Sequence, residues 1–187
     1  MDWPLFTVTH ETPEQRKDMG FMEKAKDTYD RFKYYRSEVI EAALFVESSL
    51  TNILLDFLSG ADATRRALLR EHLLNAEFCT FHQKWKLLRQ LLKLYGASLK
   101  LPEQEMKTLR KELMQVISLR NRFAHGTIRV DARDFSVWIE YLEDGRQFEK
   151  VVEEELASTT DLCDRVHGQL WNIHKTIESL GYVLPQT

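Results

Sequence analysis

The stretch Ile117-Ser118-Leu119-Arg120-Asn121-Arg122-Phe123-Ala124-His125-Gly126 closes the helix whose reading decides the fold. That helix opens at Pro102-Glu103, where a residue with fixed φ and no N–H suits a first turn. Met106, Leu109, Leu113, Val116, Ile117, Phe123 and Ala124 then recur on one stripe, and Gly126 stops it. Beyond Gly126 the hydrophobic period shortens. Segments 127 to 131, 135 to 142 and 147 to 152 are β-rich and are parted by Asp131-Ala132-Arg133-Asp134 and Asp144-Gly145, which predicts a small three-stranded meander. A closing helix from about 153 to 180 carries Leu156, Leu162, Val166, Leu170, Ile173 and Ile177 and ends at Gly181.

Upstream, residues 1 to 12 form an irregular segment without clear periodicity. Thr12-Pro13-Glu14-Gln15 starts a helix, with Thr12 as N-cap and Gln15 placed to reach back, and this helix is expected from about 13 to 35. Ser37 caps a second helix through Ile40, Ala43, Leu44, Leu50, Leu54 and Leu58, ended by Ser59-Gly60. Asp62 caps a third through Leu68, Leu69, Leu73 and Leu74, and another runs from Phe81 to Tyr95-Gly96. With only 7 glycines and 4 prolines, long helices with few connections are expected. The 187 residues read as one mainly α domain: a helical bundle with a β-meander, about 127 to 152, inserted between the motif helix and the C-terminal helix.

A net charge of −3 argues against a protein that coats nucleic acid non-specifically, because such binding needs a basic surface that displaces counterions. Any RNA contact is local. Cys79 and Cys163 lie far apart and match no metal spacing, and the N-terminus lacks a basic region followed by an apolar stretch, so a reduced, cytoplasmic chain is expected. No apolar run nears the roughly 20 residues that span a bilayer, so no membrane partner is expected.

Projected at about 100° per residue from Leu109, Arg120 falls at about +20°, amid Leu113 and Val116. A cation there needs a carboxylate, a bound anion or a partly wet subunit seam. Glu47 projects at about −20° from Ile40, inside the apolar stripe of its own helix, and is the candidate partner. A buried Glu47–Arg120 ion pair with no catalytic purpose is one reading. Asn121 and His125, four residues apart, face each other away from the stripe. A histidine at a helix C-terminus can simply answer the negative end of the dipole. Arg122, Arg129 and Lys107 are weaker candidates for a positive rim on a phosphate backbone, whereas Arg133 reads as ordinary solvated surface. No cluster with metal-ligand spacing stands out, and the pairs His72 with His82 and His167 with His174 read as scattered histidines.

The segment Arg120-Asn121-Arg122-Phe123-Ala124-His125-Gly126 resembles the hallmark of the HEPN superfamily: an arginine, a polar residue such as asparagine, and a histidine four to six positions further on. The succession of long helices, insertion and closing helix resembles that family too. The resemblance implies a metal-independent endoribonuclease, a toxin or antiviral (phage-defence) effector, needing no cofactor, with its active site where two such helices meet across a homodimer. A toxin of a toxin–antitoxin pair also implies an antitoxin or regulatory protein partner. In that chemistry His125 takes or gives a proton near neutral pH, Arg120 clamps the phosphate, Asn121 orients it, and Glu47 supports Arg120. The alternative is a non-catalytic HEPN-like module that uses the same helix face for dimerisation, nucleotide binding or partner binding.

Overall fold

The structure, a computed structural model, describes residues 7–99, 102–142 and 145–179. The chain is mainly helical with a small four-stranded sheet. Its elements run β1 (Thr7–Thr9), α1 (Pro13–Lys17), α2 (Met19–Ser59), α3 (Ala63–Leu69), a π-helical turn (Arg70–Leu74), α4 (Phe81–Leu99), α5 (Glu103–His125), β2 (Thr127–Asp131), β3 (Val137–Leu142), β4 (Arg146–Val151) and α6 (Glu153–Ser179). The expected end of the last helix at Gly181 lies outside the described residues. These elements gather into two compact units, one from residues up to 41 together with 118–161, the other from 42–117 together with 162 onward.

The first unit is built on the sheet. Its strands lie in the order β1-β2-β3-β4, with β2, β3 and β4 antiparallel as a meander. β1 adds a strand that the sequence pattern conceals: it pairs parallel to β2, Thr7 with Arg129 and Thr9 with Asp131, and Thr9 O accepts from the Ala132 N–H at 2.9 Å. The expectation of an irregular N-terminal segment fails there, because three residues are too few to show a period of two. Ile128, Val137, Ile139 and Val151 from the strands pack with Phe32 and Val39 of α2, Phe123 of α5 and Leu156 of α6. Strand alternation and helix periodicity thus meet in one core.

The Thr12 capping box forms as expected, but the helix it opens ends at Lys17. α2 then runs unbroken for 41 residues, so the expected break at Ser37 is absent. The Ser37 hydroxyl donates to the Lys33 carbonyl at 3.0 Å inside the helix instead of capping a new one. Serine accepts either role, and neighbouring packing decides between them. By length and composition α2 could cross a bilayer, an apolar stretch the sequence reading undercounted, although 56% of that window is buried within the protein, as in the core helix of a globular fold.

The second unit is helical. Leu50, Ile53 and Leu54 of α2, Leu88 of α4, Leu109, Leu113 and Val116 of α5, and Val166 and Leu170 of α6 are all buried. Their three- and four-residue spacings are those of one apolar stripe per helix. Asp62 caps α3 through the Arg65 N–H as expected. α4 begins after a break at residues 75–80 and runs through Gly96 to Leu99, past the expected stop.

Candidate active site

The candidate residues sit on the last turn and a half of α5. Asn121 and His125 are exposed and Arg120 is half-buried. The Arg120 Nη1 donates to the Asn121 Oδ1 at 3.1 Å, while its Nε is shut off from solvent without a hydrogen-bond partner. No carboxylate among the described residues pairs with Arg120. Its remaining N–H groups form the donor fork that suits an oxyanion. The His125 side chain is exposed and makes no side-chain hydrogen bond among the described residues.

Arg122, expected as a weaker substrate contact, is instead engaged by two carboxylates of its own unit. Its side chain is 11% exposed and donates through Nη1 to Glu149 of β4 at 2.5 Å and through Nη2 to Glu155 of α6 at 2.6 Å. Burial opposes its charge, but Glu155 and Glu149 together outweigh this and raise its pKa. The Tyr141 hydroxyl also donates to Glu149, at 3.1 Å. Arg122 therefore pins the end of α5 to the sheet and to α6, which fixes where Arg120, Asn121 and His125 point. Arg129 is likewise committed, to Glu140 across β2 and β3 at 2.5 Å. Lys107 belongs to the second unit, where it pairs with Glu103 at 2.8 Å. Arg133, taken for plain surface, holds the buried Asp131 through Nε and Nη2.

Glu47 also finds its cation within the second unit: the Lys84 Nζ lies 2.7 Å from its Oε1. The helix projection placed Glu47 correctly on a partly buried face but could not rank Lys84 above Arg120 as its partner.

One residue near the motif was passed over. Arg36 of α2 donates through Nη2 to the Ala124 carbonyl at 3.1 Å, beside His125. It answers one of the carbonyls that a helix C-terminus leaves unpaired. Burial lowers its pKa from the ordinary guanidinium value, and no carboxylate among the described residues neutralises it. Nothing local in the sequence signals that Arg36 reaches α5, since its partner lies 88 residues away.

Gly126 closes the site for a reason of space. A Cβ there would lie 2.5 Å from the Ile139 Cγ1 and 2.6 Å from the Arg122 carbonyl oxygen. The β2 strand can follow the helix directly only because no side chain intervenes. In the second unit, His167 Nδ1 meets the Ser49 hydroxyl at 2.9 Å and His174 Nε2 lies 2.6 Å from Asp56. Among the described residues no group of three His, Cys, Asp or Glu side chains gathers as a metal site. No family model, curated protein or solved structure matches this chain.

Proposed function

We propose that the chain is an endoribonuclease of the HEPN type, a toxin or antiviral-defence effector in the cytoplasm, whose chemistry is carried by Arg120, Asn121 and His125 and whose complete site is shared across a homodimer. The observation that carries this reading is the contrast within one helical turn: Arg122 is saturated by two carboxylates, whereas Arg120 has none and stands with an unengaged His125. A half-buried guanidinium without a counter-ion favours binding an anion. In the reaction the RNA 2′-oxygen attacks the adjacent phosphorus and the bond to the 5′-oxygen breaks. A 2′,3′-cyclic phosphate and a 5′-hydroxyl end result. His125 takes the 2′-hydroxyl proton or supplies the proton that the 5′-oxygen gains, and its counterpart from the second protomer does the other. Arg120 stabilises the charge that grows on the phosphoryl oxygens, with Arg36 adding a second positive charge nearby. None of these steps requires a metal ion. Chemical analysis of new RNA ends tests the reading: 5′-hydroxyl ends are expected, and 5′-phosphate ends contradict it.

The non-catalytic module remains the second reading. What favours it is the exposure of large apolar side chains in the second unit, Phe45 at 58% and Trp171 at 49%, as on surfaces that meet a partner.

A further inference from the structure

A cleft of about 480 Å³ opens in the second unit, and the motif chemistry does not use it. Its wall includes Glu47, Ser48 and Asn52 of α2, Arg70 and Asn75 from the connection between α3 and α4, and Lys84 of α4. Two of its features are costly to folding. The Lys84 side chain is 8% exposed, and among the described residues its ammonium is answered by Glu47 alone, so one of three N–H bonds is spoken for. Such a cation is expensive to bury with a single acceptor.

The second feature is the π-helical turn Arg70–Leu74, where the Asn75 N–H reaches back five residues to the Arg70 carbonyl at 2.9 Å. π turns are rare and concentrate at functional sites. This one sets Arg70 at its start and Asn75 just past its end, both in the wall of the cleft. The Arg70 Nη2 donates to the Asn52 Oδ1 at 3.0 Å, and no carboxylate among the described residues pairs with the guanidinium. Two cations therefore face one carboxylate, which leaves the cleft one positive charge in excess. The hydroxyl of Ser48 and the amides of Asn52 and Asn75 surround that charge with hydrogen-bonding groups.

We propose that this cleft binds a small, singly charged carboxylate ligand that also carries hydroxyl groups, a sugar acid in type. Its carboxylate sits between the free edge of the Arg70 fork and the Lys84 ammonium, a geometry that a planar carboxylate fits with two parallel hydrogen bonds. One negative charge neutralises the cleft, whereas a doubly charged phosphate leaves it anionic. The site belongs to the second unit and is independent of the ribonuclease reading.

Titration of the isotope-labelled full chain with gluconate, lactate, glucose 6-phosphate and neutral glucose, followed by amide NMR shifts, tests the proposal. Saturable shifts at residues 70, 75 and 84 with gluconate and lactate, and none with glucose, are expected. Arg70→Gln changes an exposed side chain and should weaken gluconate binding about tenfold with the spectrum otherwise intact. The double variant Glu47→Gln with Lys84→Met avoids leaving one buried charge unpaired, keeps the net charge of the cleft and removes the ammonium contact, so it should weaken gluconate binding about tenfold too. No shifts with either carboxylate, shifts outside the cleft, tighter binding of glucose 6-phosphate than of gluconate, or unchanged binding by either variant overturns it.

Discussion

Arg120 and Arg122 are two residues apart and differ in their partners, so on the proposed reading their substitutions should have opposite consequences. Arg122→Met strands Glu149 and Glu155, which are partly solvated, and should destabilise the protein by roughly 1–3 kcal/mol in denaturant unfolding. Arg120→Ala leaves no carboxylate without its partner. Its stability cost should stay under about 1 kcal/mol while RNA cleavage is lost. Asp131 gives a pH signature. Hydrogen bonds from the Arg133 guanidinium hold its carboxyl well below the ordinary value of 3.8, against the opposing effect of burial. A depressed carboxylate contributes stability that is present above the unfolded-state value and is lost as pH falls toward the folded one. Unfolding at pH 7 and pH 3 should therefore show a steeper acid loss for the natural chain than for Asp131→Asn. The sequence placed Arg120 on the helix but could not tell the two arginines apart, because the partners of Arg122 lie 27 and 33 residues away in the chain.

At the scale of elements, the helix-to-strand junction decides whether the motif is held in place. Gly126→Ala drives a methyl into Ile139 and the Arg122 carbonyl, and the neighbours cannot yield without moving β3 or the end of α5. A loss of roughly 1–3 kcal/mol is expected by thermal or denaturant unfolding, with reduced cleavage even where the protein stays folded. The sequence marked Gly126 as a helix stop, and the structure gives the reason as close approach. Capping signals at Thr12 and Asp62 were legible because they are local, three residues from cap to partner. The continuity of α2 and the pairing of β1 were not. Whether Ser37 caps or sits within a helix, and whether three residues form a strand, depends on what packs beside them.

For the whole molecule, a mainly helical chain with a β-meander before its last helix was readable from the change of hydrophobic period after Gly126. The fourth strand and the division into two compact units were not, since both rest on contacts between distant segments. On the proposed reading, the net charge of −3 bears on how RNA would be engaged. Arg122 and Arg129 are neutralised by carboxylates, so on the proposed reading contact with phosphate would fall to Arg120 and Arg36. Binding of a 2′-deoxy, uncleavable oligonucleotide should lose affinity with salt at the slope of only one or two phosphates, roughly −0.7 each in a log–log plot. The central claim is tested most directly by incubating RNA with the purified chain and a chelator, beside His125→Ala of equal helicity and equal oligomeric state. Cleavage by the natural chain that vanishes in the variant is the predicted result, and equal cleavage by both, or none by either, contradicts it.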